Sequence, residues 1–231
     1  MCIFNNPFDF SILNGSKPIV LLGILVYIYD RRYFMKKINI LLFVILSFAA
    51  GIVNAADHEM HQALKCTRFF SYYERKYNIP RDTLHSIALQ ESGKVHSHHK
   101  MKIVWPWAVN SGGKSYYFST KREAVKFVRS QLRKGNKKID VGCMQISMLY
   151  HSQNFKSVEH ALDPKSNIDY AASLLATKYA QVGSWPKAIA HYHSASARGD
   201  KYSKSVFKIA SNLSQNKKAI MRYYLKKRHR N

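Results

Sequence analysis

A carboxylate stands where the apolar stripe of a helix calls for a hydrophobe. In Ile79-Pro80-Arg81-Asp82-Thr83-Leu84-His85-Ser86-Ile87-Ala88-Leu89-Gln90-Glu91-Ser92-Gly93, the residues Leu84, Ile87 and Ala88 fall at i, i+3 and i+4, and Glu91 takes i+7. Pro80 suits a helix start and Gly93 a left-handed cap just past the end, so the spacing predicts a helix whose last turn aims Glu91 inward. Burial disfavours the ionised carboxyl and raises its pKa, and an acid still protonated near neutral pH can deliver a proton to a leaving group. An ion pair with Lys or Arg, or early fraying of the helix, would leave the same residue purely structural.

Downstream, Gly142-Cys143-Met144-Gln145, Ser166-Asn167-Ile168 leading into an Ala-rich helix, and His191-Tyr192-His193 follow Glu91-Ser92 in order. On these segments the chain resembles the soluble lytic transglycosylase (SLT) family of the lysozyme-like superfamily, whose motifs are a Glu-Ser pair, Gly-Leu-Met-Gln and Ala-Tyr-Asn. Cys143 stands in place of the usual Leu, and His191 and His193 flank Tyr192 where Ala and Asn are common. The resemblance implies a mainly α, lysozyme-like helical domain that cleaves peptidoglycan glycan strands, without cofactor or metal. It implies Glu91 as the catalytic acid, Ser92 and Gln145 as hydrogen-bonding partners near the scissile sugar, and Met144 on the floor of the site. Tyr192 is expected to hydrogen-bond Glu91, with Tyr202 a weaker candidate for the site.

The chemistry so implied protonates the glycosidic oxygen and closes a 1,6-anhydro ring, needing one carboxyl, whereas an ordinary glycosidase needs two. Asp140, close to Gly142 in sequence, could activate water in a hydrolytic variant, making the protein a muramidase; the competing reading is a turn residue. A non-catalytic module that binds glycan or another polyanion is the third class.

These residues need elements to hold them. The segment Trp105 to Phe118, inserted between Glu91 and Gly142, places Trp105 to Asn110 and Ser115 to Phe118 around Ser111-Gly112-Gly113-Lys114, which predicts a small β-hairpin. Trp105, Trp107, Tyr116 and Tyr117 could stack on sugar rings, and serve equally well as a small satellite core. His96, His98 and His99 read as a solvated, Lys-flanked loop, since they lack the helical spacing of a zinc pair. Helices are expected over 58–77, after the Thr120 to Glu123 capping box, from Ile168 to a stop at Gly183, from Ser184 through Tyr192, and along Val206, Ile209, Ala210 and Leu213.

Met35-Lys36-Lys37, the apolar run Ile38 to Ala50, and Val53-Asn54-Ala55 have the anatomy of a cleavable secretory signal over 35–55. Residues 1–34 then precede a complete signal, as they would if translation starts downstream. Rival readings are an uncleaved anchor and a twin-arginine signal around Arg31-Arg32. Either export route leads to the periplasm or cell envelope, and the expected organisation is a leader over 1–55, a catalytic domain over 56–214 and a basic tail over 215–231. Cys66 and Cys143 would be the two cysteines of the exported chain. As a disulfide they would close a loop of about 77 residues and contribute about 4 kcal/mol in the chain-entropy view; two buried thiols are the alternative.

The whole chain carries 37 Lys+Arg against 13 Asp+Glu, a net charge of +24. Such a surface seeks polyanions. Nucleic acid is disfavoured because no helix-turn-helix, zinc-finger or RNA-recognition signature is present. Anionic envelope polymers, a membrane surface or a cell-envelope secretion apparatus fit an exported protein better. In the tail, Ile220, Tyr223 and Tyr224 lie among Lys217, Lys218, Arg222, Lys226, Lys227, Arg228 and Arg230, with no acid after Leu213. A narrow apolar stripe on a basic helix suits an anionic surface, and a solvated, frayed end is the plainer alternative.

Overall fold

A computed structural model describes residues 58–228, with side chains placed through Leu213, and Asn39 before them. The expected signal segment, the residues upstream of it and the side chains of the tail lie outside the described residues. The chain from Ala55 to Asn231 makes one compact unit.

Helix α1 covers residues 58–76 and buries Met60, Ala63, Cys66, Phe70 and Tyr73. The chain then turns through Asn78 and Asp82, both in the left-handed region at φ 53° and 68°, into α2, Thr83–Glu91. This helix starts after Pro80 and Asp82, with no side-chain cap on its own chain end. Instead the Glu74 carboxylate of α1 accepts from Leu84 N at 2.9 Å, satisfying a free N–H of the first turn.

Short strands follow. Strand β1 (Gly93–Val95) pairs antiparallel with β2 (Lys102–Val104). The expected hairpin is β3 (Ala108–Ser111) and β4 (Lys114–Tyr117), turned by Gly112 and Gly113 at φ 60° and 88°. Both central residues need positive φ, which glycine supplies without strain. The hairpin belongs to a larger sheet. Strands β5 (Ile139–Val141) and β6 (Ile146–Ser147) extend it to the antiparallel order β4-β3-β5-β6. Between β4 and β5, α3 (Lys121–Arg133) starts on the complete Thr120/Glu123 capping box and lays Ala124, Val125 and Val128 against the apolar face of the sheet, where Val109, Ile139 and Val141 point.

Helices α4 (Met148–His151) and α5 (Val158–Ala161) are single turns leading to α6, Pro164–Val182. Asp163 caps α6 by accepting from Ser166 N, and Gly183 ends it at φ 65°. Its stripe Ile168, Ala171, Ala172 and Leu175 is buried in the main core with Leu84, Ile87 and Ala88 of α2. Helix α7 (Trp185–His193) packs between α6 and the long α8 (Ala197–Arg228), and α8 also lies along α2. The architecture is mainly helical with a small antiparallel sheet set against it. The basic tail prolongs α8 without a break at residue 214. Among the described residues no helix is long and apolar enough to cross a membrane.

His96 departs from the solvated loop expected of it. It is fully buried, and its Nδ1 accepts the backbone N–H groups of His98 and His99 at 3.1 Å each, so the ring serves as the internal cap of a turn. His98 and His99 remain exposed. Among the described residues no cluster of His, Cys, Asp or Glu could hold a metal ion.

Candidate active site

Glu91 is the last residue of α2, and the chain beyond it is fixed by sterics rather than by the left-handed glycine cap that the sequence suggests. Ser92 ends the helix at φ −116°, and Gly93 opens β1. A Cβ on Gly93 would sit 2.1 Å from the Leu89 carbonyl oxygen, so glycine is needed there for close approach. The backbone carbonyl of Ser92 then accepts from Trp105 N at 3.2 Å, tying the helix end to the insert.

The Glu91 carboxyl keeps some exposure, yet protein surrounds it closely enough that desolvation pushes its pKa to about 7. Two neighbours adjust that value. The Tyr202 hydroxyl of α8 donates to Glu91 Oε1 at 2.6 Å and pulls the pKa down, and the Asp140 charge pushes it up. Near neutrality a carboxyl in this state is divided between its acid and base forms, as a group that must both give and take a proton requires.

Tyrosine roles therefore exchange relative to the sequence expectation. Tyr192 does not bond Glu91; its hydroxyl donates to the Met144 carbonyl at 2.9 Å. Tyr202, the weaker candidate, is the one that holds the carboxyl. The ring of His193 stacks on Tyr202 with centroids 4.6 Å apart and planes 5° apart, so the position where Ala-Tyr-Asn would place Asn backs the tyrosine that orients the acid.

The turn from Gly142 to Gln145 is pinned from several directions. Asn167 is completely buried on α6; its Oδ1 accepts from Met144 N at 2.9 Å, and its Nδ2 donates to the carbonyls of Val141 at 3.0 Å and Ala161 at 2.9 Å. Gly142, at φ 82°, leaves room for that amide, since a Cβ would lie 2.6 Å from Asn167 Nδ2. Cys143 is bonded to Cys66, joining the turn to α1. Ser92 is buried and donates to the Cys143 carbonyl at 2.7 Å, so it braces the helix end against the turn instead of facing a sugar. Met144 is likewise fully buried core. Gln145, at φ 47°, is partly exposed, with Nε2 donating to the Ala108 and Gly142 carbonyls at 3.1 and 3.0 Å. Of the Ser92, Met144 and Gln145 set, only Gln145 is partly exposed.

Asp140 is not a turn residue. It lies on β5, paired with Asn110 on one side and Ser147 on the other, and Asn110 pairs with Ser115 in turn. Because side chains alternate along a strand, this polar row faces away from the apolar face covered by α3. Burial raises the Asp140 pKa, a hydrogen bond from Ser147 opposes the rise, and its charge is felt at Glu91. The sheet thus presents a hydrogen-bonding surface with a second carboxyl whose charge acts on Glu91.

Most of the aromatic candidates in the insert are core. Trp105 and Trp107 are buried and their indoles donate to Phe118 O and Gln62 Oε1, each at 2.8 Å. Tyr116 packs on Phe127 of α3 at 4.6 Å. Tyr117 differs: it is 43% exposed, shares the strand face of Ser115 and Asn110, and reaches the Gly93 carbonyl at 3.4 Å. It alone of the four is exposed.

One carboxyl poised near neutral pH on a helix end, held by tyrosine and faced by a polar sheet, matches what glycosidic cleavage asks for, and comparison with known families agrees. The description Transglycosylase SLT domain matches residues 68–214. The chain belongs to this SLT family. No curated protein and no solved structure gives a match. As an SLT domain it is a lysozyme-like enzyme of the lytic transglycosylase type, acting on the glycan strands of peptidoglycan. The polar row around Asp140 and the three hydrogen bonds of Asn167 were the site features least visible in the sequence. Asn167 itself stands in the Ser166-Asn167-Ile168 segment that carries the resemblance, but its side-chain partners, the Met144 N–H and the Val141 and Ala161 carbonyls, come from elsewhere in the chain.

Proposed function

We propose that this SLT domain cleaves the β-1,4 bond between N-acetylmuramic acid and N-acetylglucosamine without water, leaving a 1,6-anhydro-muramyl end. The observation that carries the proposal is the Glu91 carboxyl, raised to about 7 and fixed by Tyr202. Protonated Glu91 gives its proton to the glycosidic oxygen as the bond to the anomeric carbon breaks, and N-acetylglucosamine leaves with a free hydroxyl. The carbonyl oxygen of the muramyl N-acetyl group bonds to the anomeric carbon and carries the positive charge. Glu91, now ionised, takes the proton of the C6 hydroxyl as that oxygen attacks the anomeric carbon and displaces the acetamido oxygen. The 1,6-anhydro ring closes and Glu91 is again an acid. One carboxyl serves both steps.

Asp140 supports a second reading. A carboxylate across from the acid could activate a water or stabilise the developing cation, which is the muramidase arrangement. Asn110 and Ser147 beside it favour a hydrogen-bonding surface.

Glu91→Gln tests the shared first step. The amide is nearly isosteric and cannot deliver a proton, so turnover should fall by about 10² to 10⁴ while the fold persists. Wild-type-like turnover by the folded variant would remove Glu91 from the mechanism. Export to the envelope through the 35–55 segment belongs to the same proposal, because the substrate lies outside the cytoplasm.

A further inference from the structure

Between α3 and α5 lies a groove of about 620 Å³, lined by Lys121, Arg122, Val125, Lys126, Arg129 and Arg133 together with Glu159 of α5. The helix explains the arrangement. Lys121, Val125, Arg129 and Arg133 recur every four residues, and Arg122 and Lys126 flank them, so the cations form a ladder about 18 Å long. Arg129 is paired with Glu159 at 2.8 Å, and Lys121 lies 3.7 Å from Asp163. Among the described residues Arg122, Lys126 and Arg133 have no carboxylate partner, and all three are exposed.

The groove is separate from the site around Glu91. Val125 is buried against the face of the sheet carrying Val109 and Val141, whereas Asp140 and Asn110 project from the opposite face towards Glu91. A strand being cleaved at Glu91 does not run through this groove. Peptidoglycan, however, is a network whose strands carry peptide stems bearing repeated carboxylates. A guanidinium fork matches a carboxylate in two parallel hydrogen bonds, and a row of cations along a groove suits charges repeated along one chain better than a flat surface would. The lining has no aromatic side chain, so it lacks the stacking platform that single-stranded nucleic acid uses.

We infer that the α3 groove holds the peptide-stem carboxylates of a second peptidoglycan strand while the site around Glu91 works on the first. The inference rests on the wall substrate of the family and not on the reaction product. Its occupancy would keep the enzyme on the wall between cleavages.

The test is binding to purified sacculi by the full chain carrying Glu91→Gln, so that cleavage does not intervene. Combining Arg122→Glu, Lys126→Glu and Arg133→Glu should weaken binding at low salt by about tenfold or more, and the corresponding Gln substitutions by less. Reversing Arg75, Lys165 and Lys208, exposed cations elsewhere, controls for net charge and should have a much smaller effect. On sacculi stripped of stems by an amidase, groove and control variants should bind alike. With Glu91 restored, the groove variant should turn over short soluble glycans normally, which also shows that it folds. Equal binding of groove and control variants to intact sacculi would overturn the inference. So would a groove effect that survives stem removal, which would assign the groove to another polyanion.

Discussion

The Tyr202 hydroxyl donates to Glu91 Oε1 at 2.6 Å, joining residues 111 positions apart in the chain. The bond makes α8 part of the acid's machinery: α8 lies along α2, Tyr202 is buried between them, and His193 of α7 stacks on its ring. A hydrogen bond donated to the carboxylate favours the ionised form, so Tyr202 opposes the rise that burial causes.

Tyr202→Phe should therefore move the Glu91 pKa upward and lower kcat by about tenfold through loss of orientation. The limb of the pH profile that reports Glu91 should shift to higher pH. Tyr192→Phe should leave that limb in place, because its hydroxyl serves the Met144 carbonyl. Identical profiles for Tyr202→Phe and the parent would separate Tyr202 from the acid.

Glu91→Gln should raise stability in a defined pH window. The folded protein resists ionisation of Glu91 up to about 7, whereas the unfolded chain loses that proton near the ordinary value of 4.5. Between these values the folded state binds more protons than the unfolded state, so wild-type stability falls as pH rises. The full penalty, at most about 3 kcal/mol, is present above pH 7 and absent below 4.5. The melting temperature of Glu91→Gln should match the parent near pH 4 and exceed it by a growing margin towards pH 8. A difference independent of pH would mean that Glu91 is not destabilised by burial.

Asn167→Ala removes one side chain from three buried hydrogen bonds and should cost about 2 to 4 kcal/mol. Gly142→Ala fails partly because its Cβ meets that same amide, and partly because φ is 82°. Denaturant melts should then show the double variant to be less destabilised than the sum of the two single ones. Full additivity would mean that the steric conflict with Asn167 is not what Gly142 avoids.

Sequence alone located Glu91 because a carboxyl breaking an apolar stripe is a local signal, and the Gly112-Gly113 hairpin, the α3 capping box and the Ile168 stripe are local in the same sense. What it did not yield depends on pairing across the chain. Asp140 looks like a turn residue until β3 and β6 flank it, and Ser92 looks like a sugar ligand until the Cys143 carbonyl is found beside it. Trp105 and Trp107 have the composition of a sugar platform, and only burial shows them to be core. The exchange between Tyr192 and Tyr202 has the same origin, because α7 and α8 both pass close to the acid and spacing does not say which hydroxyl reaches it.

Reduction of the bond between Cys66 and Cys143, or its replacement by Cys66→Ala with Cys143→Ala, should lower stability by up to about 4 kcal/mol. Activity should fall more steeply with temperature than in the oxidised protein, because the turn it anchors also receives Ser92 and Tyr192. Thermal melts with and without reductant check this, and unchanged melting would show the bridge to be dispensable.

The most direct measurement is mass spectrometry of muropeptides released from purified peptidoglycan in water labelled with heavy oxygen. Cleavage by Glu91 alone predicts products lighter than hydrolytic ones by one water, with 1,6-anhydro-muramyl ends, no label, and the same end group from Asp140→Asn. Reducing ends carrying solvent oxygen, lost on Asp140→Asn, would contradict the account and make the protein a muramidase.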